Sequence, residues 1–356
     1  MITMKRTFSH YFGCLIGSAI GDALGAPVEF MNDIQIRGIY GPEGVKGLRI
    51  PPYLKHALIT DDTQLMMFTC EGLIRSATRA HRKGKERTDL GISIAVHRAY
   101  LRWLYTQGLQ TQCWHAHDYD GWLLKVKRLY AYREPGVTCL TALGRGVKGT
   151  RENPINDSLG CGCVGRAMPV GLVEEEERAF TIGTITAAIT HGNPTAFLSA
   201  GTLSYIVHGI IEGDTIPDAI DKGIARLKQE PQYEILAAKL EQAVYLAKEG
   251  SPTREKLESL GKGFVAHEVL AMAIYVALCY QDDFNAAVLF AVNQSGDSDS
   301  VGAIVGGLLG AYHGVEKLPE EMIGKIELHR EIEELAQDLL TFYEEGEEWL
   351  KKYPAW

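Results

Sequence analysis

Apolar residues recur at helical spacing through most of the chain. Phe8, Phe12, Leu15, Ile16, Ala19, Ile20 and Ala23 fall at the intervals that line up one buried helix face. The same period predicts helices at 63–80, 89–107, 176–190, 195–212, 217–228, 234–248, 266–280, 284–293 and 318–350. Strand-like alternation is almost absent, and no linker divides the chain. The expected fold is therefore all-α, a single multi-helix domain over residues 1–356. Segment 38–58, rich in Gly and Pro, reads as a long loop. The basic run Arg75 to Arg87 reads as a solvated helix end and loop. Glu174 to Glu177 reads as a helix start, where acids complement the dipole. The acidic C-terminal segment with Trp349, Tyr353 and Trp356 reads as a solvated helix with aromatic anchors.

Two features break the apolar pattern. The first is a pair of glycine stripes, Gly13, Gly17, Gly21 and Gly25 near one end and Gly302, Gly306, Gly310 and Gly314 near the other. Glycine inside a helix costs about 1 kcal/mol relative to alanine, so each stripe calls for a compensating close approach of a neighbouring backbone. Two central helices packed on each other would carry Asp22 and Asp297/Asp299 towards a common site.

The second is a pair of polar clusters, Thr60-Asp61-Asp62-Thr63 and Asp297-Ser298-Asp299-Ser300, each ahead of an apolar helical run. As helix N-caps, such residues stabilise free amides by about 0.5–2 kcal/mol. One cap needs one side chain, whereas each cluster supplies two carboxylates and hydroxyls. Two carboxylates about 4 Å apart repel by roughly 1 kcal/mol in water and about 4 kcal/mol at an effective dielectric near 20. Four of them converging would keep their charge only around bound cations, and all-oxygen donors suit Mg²⁺ or Mn²⁺.

Composition narrows the field. A formal charge of −9 over 356 residues argues against general nucleic-acid binding. The start, Met-Ile-Thr-Met-Lys-Arg, lacks the apolar stretch and cleavage site of a signal peptide. The apolar run Val301 to Tyr312 is shorter than the roughly 20 residues that cross a bilayer, so no membrane partner is expected. The seven cysteines (14, 70, 113, 139, 161, 163 and 279) are scattered without a Cys-x-x-Cys pair, which points to a reducing cytoplasm. Cys161-Gly-Cys163 fits either a redox or metal site or small residues in a tight loop.

Seven segments together resemble the ADP-ribosylglycohydrolase family, in the family's order. They are Gly17-Ser-Ala-Ile-Gly21-Asp22-Ala-Leu-Gly25-Ala-Pro27-Val-Glu29, Thr60-Asp61-Asp62-Thr63, Pro135-Gly-Val-Thr138, Gly160-Cys-Gly-Cys-Val-Gly165-Arg166, Thr190-His191-Gly-Asn-Pro194, Gly261-Lys-Gly-Phe264-Val-Ala-His-Glu268 and Gly296-Asp297-Ser-Asp299-Ser300. The resemblance implies a helical fold around two Mg²⁺ ions, replaceable by Mn²⁺, that hold the ribose of ADP-ribose. Thr60, Asp61, Asp62, Asp297, Asp299 and Ser300 would be the metal shell, with Ser300 where threonine is commoner. It implies an acid/base role for Glu29 beside Asp62, and contact with ADP-ribose through Gly160, Cys161, Gly162, Cys163, Val164, Gly165, Arg166 and His191. Gly165 replaces a methionine frequent in the family. Glu134 lies near an additional carboxylate of arginine-specific relatives. The activity implied is hydrolysis of the bond between ADP-ribose and an acceptor, foremost arginine on a modified protein. Two rival readings remain: an immunity protein that neutralises an ADP-ribosylating toxin by occlusion, with or without hydrolysis, and a two-metal phosphoesterase that uses the same carboxylates.

Overall fold

A computed structural model describes residues 4–111 and 119–355; Cys113 and Trp356 fall outside them. Among the described residues there are α-helices and short 3₁₀ turns but no strand, only two isolated bridges, Ala57 with Ile326 and Gly160 with Val265. The all-α expectation holds. The first helices are α1 (Phe8–Gly25), α2 (Asp33–Tyr40), α3 (Asp61–Arg82), α4 (Asp89–Thr106) and α5 (Val137–Gly144). The middle of the chain forms α6 (Met168–Val173), α7 (Glu176–Ala188), α8 (Pro194–Glu212), α9 (Ile216–Leu227) and α10 (Glu234–Lys248). Then come α11 (Arg254–Ser259), α12 (Ala266–Cys279), α13 (Phe284–Val292), α14 (Ser298–His313), α15 (Glu320–Ile323), α16 (His329–Thr341) and α17 (Glu347–Lys352).

The glycine stripes explain the centre. A Cβ on Gly13, Gly17 or Gly21 would strike the backbone of Gly310, Gly306 or Gly302, and the reverse substitutions would strike α1. A Cβ on Gly306 would lie 2.7 Å from the carbonyl carbon of Gly17. Only glycine admits so close an approach, and the packing gained across two buried helices outweighs its poor helix propensity. Gly25 abuts the backbone of Asp299 rather than a glycine, so the contact runs straight into the second acidic cluster. Gly314, with φ at +78°, ends α14 while still facing α1, where a Cβ on it would strike the Ser9 hydroxyl.

Several local expectations need correction. The segment 318–350 is three helices, interrupted at Leu328 and Phe342, both with φ above +60°. Its anchors are core residues: Trp349 donates to the Thr78 hydroxyl at 2.9 Å, and buried Tyr353 donates to Asp338 at 2.5 Å. Arg75 is buried, held by Asp120 at 2.7 Å and near Glu71 at 3.6 Å; solvent begins only at His81. Glu174 does not open α7. It is buried between Arg87 (2.5 Å) and Arg178 (3.1 Å), because an unpaired carboxylate there would be costly. Two stretches, Phe8–Val28 and Pro194–Glu212, are longer apolar helices than Val301 to Tyr312 and are long and apolar enough to cross a membrane. Most of each is buried inside the protein, as core helices are.

Candidate active site

The site is assembled where α1, α3 and α14 meet. Asp22, buried in the last turn of α1, accepts from the Thr60 amide at 3.1 and 3.0 Å, the Thr63 amide at 3.3 Å and the Thr63 hydroxyl. Those bonds fasten the start of α3 to the end of α1. Thr60 caps α3, its hydroxyl accepting from the Asp62 amide at 3.3 Å. Asp297 caps α14 by accepting from the Ser300 amide at 3.2 Å, and Asp299 accepts from the same amide at 3.0 Å. Capping is therefore real in both clusters but uses only part of each. The clusters meet where the Ser300 hydroxyl donates to Asp62 at 2.7 Å.

Asp61 accepts from the Gly136 amide at 3.2 Å, which ties the loop before α5 to the site. Glu29 follows the 3₁₀ turn Ala26–Val28. Its carboxylate and those of Asp297 and Asp299 each place an oxygen within 4.8 Å of the others. Glu29 thus stands among groups able to hold a metal ion, a position its sequence motif did not distinguish from an acid/base role. Phe30, next to it, has φ at +64°, unusual for a bulky residue, and its amide donates to the Gly296 carbonyl at 3.1 Å. The Phe30 ring stacks on Phe264 with centroids 5.7 Å apart.

Burial raises the pKa of Asp22, Glu29, Asp61, Asp62, Asp297 and Asp299 in the metal-free protein, and repulsion from neighbouring carboxylates adds to it at Glu29, Asp61, Asp62 and Asp299. Glu29 is pushed up to about 8, first by desolvation and then by Asp297 and Asp62. Asp62 rises to about 7 through desolvation and Asp297. Asp22 rises to about 6 through desolvation, opposed by its bonds from Thr63 and Thr60. Asp61, Asp297 and Asp299 shift upward too, desolvation leading in each. Such a set cannot be fully ionised at neutral pH without a cation, and its oxygen donors fit a hard divalent ion.

A cleft of about 230 Å³ opens above these groups. Gly160, Cys161, Gly162 and His191 line its other side. The 3₁₀ turn Cys161–Cys163 is held to the start of α12 by Cys161 N–H to the Phe264 carbonyl (3.2 Å) and Ala266 N–H to the Leu159 carbonyl (2.8 Å). A Cβ on Gly160 would sit 3.3 Å from Nε2 of His191, so glycine keeps the histidine close. Burial and Arg166 lower the His191 pKa to about 3, leaving a neutral ring.

Cys163, Val164, Gly165 and Arg166 do not line this cleft. Consecutive 3₁₀ turns fold the segment inward, burying Cys163, Val164 and Arg166 and setting Gly165 against Ile304. Arg166 lies over the Tyr100 ring at 4.3 Å and donates to the Thr190 hydroxyl at 2.6 Å. Thr190 in turn pairs with Nδ1 of His191 at 2.8 Å, so Arg166 positions the histidine from behind. Cys161 was expected in the site, but sequence reasoning missed that its thiol donates to Asp297 at 2.9 Å. All six described cysteines are free, Cys161 and Cys163 among them, so Cys161-Gly-Cys163 forms no disulfide.

An all-helical domain that gathers six carboxylates at the foot of a glycine-lined cleft defines a class of protein, one whose site is suited to a metal ion beside a polar ligand. The family follows from comparison. The ADP-ribosylglycohydrolase family model matches residues 3–348, and the chain belongs to that family. It is thus an ADP-ribosyl-acceptor hydrolase, an enzyme that cleaves ADP-ribose from acceptors. The chain is 24% identical over 340 residues to the ADP-ribosyl-[dinitrogen reductase] glycohydrolase of Rhodospirillum rubrum, covering 92% of this chain and 95% of that one. It is 24% identical to the ADP-ribosylarginine hydrolase Tri1 of Serratia proteamaculans, over 94% of this chain and 80% of the relative. A solved ADP-ribosylglycohydrolase-related protein complex shares the fold, with a TM-score of 0.60, 22% identity and coverage of 95% and 99%.

Proposed function

We propose that the protein is a Mg²⁺-dependent hydrolase that removes ADP-ribose from arginine side chains of modified proteins in the cytoplasm. The observation carrying this reading is the convergence of Glu29, Asp61, Asp62, Asp297, Asp299 and Ser300 opposite the Gly160–Gly162 loop and His191. Thr60, Asp61, Asp62, Asp297, Asp299 and Ser300 would hold two ions, with Mn²⁺ able to replace Mg²⁺. Bound there, the ions would screen the carboxylates and act on the ribose hydroxyls as Lewis acids. The arginine linkage draws support from the Serratia relative, whose name specifies ADP-ribosylarginine.

This chain's own residues supply the rest. Backbone amides of the Gly160–Gly162 loop would meet phosphate oxygens without side-chain obstruction. Neutral His191, held by Thr190 and Arg166, would offer Nε2 to the same portion of the ligand. As the anomeric carbon gains oxocarbenium character, the surrounding carboxylates stabilise its positive charge. Asp62 would take a proton from the attacking water, and Glu29 would return one to the departing guanidine.

The test incubates an ADP-ribosylated arginine peptide with the protein and Mg²⁺ and weighs the products. Release of free ADP-ribose and intact arginine is the expected result. Release of AMP would mark a phosphoesterase, and an unchanged peptide would mark a binding protein that acts by occlusion.

A further inference from the structure

Glu29 and Glu134 stand on a ridge between two cavities, lining both. On one side is the carboxylate cleft. On the other lies a larger cavity of about 600 Å³, walled by Arg49, Pro51, Tyr53, Tyr132 and Arg133. The ridge carries unusual backbone on both flanks, since Phe30 and Glu134 have φ of +64° and +49°. Non-glycine residues held in that region persist where the surroundings over-determine them, and they concentrate at ligand sites.

Hydrolysis divides a substrate at its anomeric carbon, with ADP-ribose to one side and the acceptor to the other. The Gly160–Gly162 loop and His191 furnish the ADP-ribose side. The cavity across the ridge adjoins the same site through Glu29 and Glu134. It is far larger than one side chain requires and falls in the range that buries a sizeable ligand, about 300–1,000 Å³. Its walls have the composition of a protein-binding surface, in which tyrosine and arginine are enriched. Tyr53 is 85% exposed and Tyr132 59% exposed, so both rings are open to a partner. The arginines are already oriented: Arg133 by Glu327 at 3.0 and 3.1 Å, and Arg49 by the Tyr40 hydroxyl at 2.9 Å. Groups fixed beforehand lose little freedom on binding.

We propose that this cavity seats the polypeptide segment carrying the ADP-ribosyl group, with the modified side chain crossing the ridge between Glu29 and Glu134. The assignment rests on the hydrolase reading above. It makes Tyr53 and Tyr132 determinants of which proteins are substrates, without a part in bond cleavage.

The experiment compares wild type with Tyr53→Ala/Tyr132→Ala, an exposed pair whose removal leaves the core intact. Fluorescence anisotropy follows binding of a labelled peptide bearing ADP-ribose through a non-hydrolysable carbon linkage, and calorimetry follows ADP-ribose alone, both with Mg²⁺. The double variant is expected to bind the peptide about tenfold more weakly, the scale of losing an aromatic anchor, with ADP-ribose affinity unchanged. Equal peptide binding in the two proteins would overturn the proposal, as would a matching loss for both ligands. Failure of wild type to cleave the hydrolysable peptide would refute the reaction, while the binding comparison would still decide the cavity.

Discussion

Gly306→Ala tests whether the site depends on the interlocked glycine helices. The new Cβ would overlap the Gly17 carbonyl oxygen and lie 2.7 Å from its carbon. Carbon atoms rest about 3.5–4.0 Å apart, so α1 and α14 must separate by about 1 Å. The obstacle is backbone, with no rotamer to swing away. Overpacking of this kind costs about 1–3 kcal/mol, against a gain of up to about 1 kcal/mol from alanine's helix propensity. The net expectation is a loss of about 1–2 kcal/mol. Function should suffer more, because α1 carries Asp22 and leads into Glu29, while α14 carries Asp299 and Ser300. A displacement of about 1 Å between catalytic groups can lower turnover about 10²-fold. Gly38→Ala is the control: Gly38 is a helical glycine whose new Cβ would meet nothing within 4 Å, so stability should rise by up to about 1 kcal/mol with turnover unchanged. Urea denaturation and steady-state hydrolysis of an ADP-ribosylated peptide measure both. Wild-type stability and turnover in Gly306→Ala would refute the reasoning.

Metal removal should make stability depend on pH. The raised values for Asp22 (about 6), Asp62 (about 7) and Glu29 (about 8) mean the folded, metal-free protein holds protons that the unfolded chain has released. In chelator the stability these three groups contribute should be fully present below about pH 4 and be lost as pH rises through about 6, 7 and 8. Mg²⁺ at a hundredfold excess over its dissociation constant should restore about 2.7 kcal/mol; a melting temperature indifferent to both chelator and pH would defeat the metal assignment. Asp61→Ala and Asp299→Ala should each abolish turnover with the helical circular dichroism intact. Were these carboxylates only part of the caps, stability would drop about 1 kcal/mol and activity would persist. Glu29→Gln should lower kcat about 10²-fold or more while calorimetry finds ADP-ribose affinity nearly unchanged. Simultaneous loss of metal and ADP-ribose binding would make Glu29 a ligand instead.

The helices were legible because amphipathic periodicity is local: each segment's own pattern shows which face must be covered. The glycine stripes went further, since repeated glycine in a helix has few causes, and they foretold two backbones in contact. Both acidic clusters could be recognised because their carboxylates exceed what a cap requires. Local pattern could not settle what depends on distant partners. Arg75 read as part of a solvated helix end and Glu174 as part of a helix start until the fold supplied Asp120 and Arg87. Arg166 shares a motif with the cleft-lining Gly160–Gly162, yet two tight turns put it behind the cleft, where it steadies His191 through Thr190. The family motifs put Glu29, Cys161, Asp297 and Asp299 in one site, but the contact of the Cys161 thiol with Asp297, the approach of Glu29 to Asp297 and Asp299, and the second cavity beyond Glu134 have no trace along the chain. Each arises between loops whose relative positions are set by helices they do not belong to. The sequence alone determined which residues could do chemistry; tertiary packing decided which of them share a site, because proximity between distant segments is a property of the assembled core.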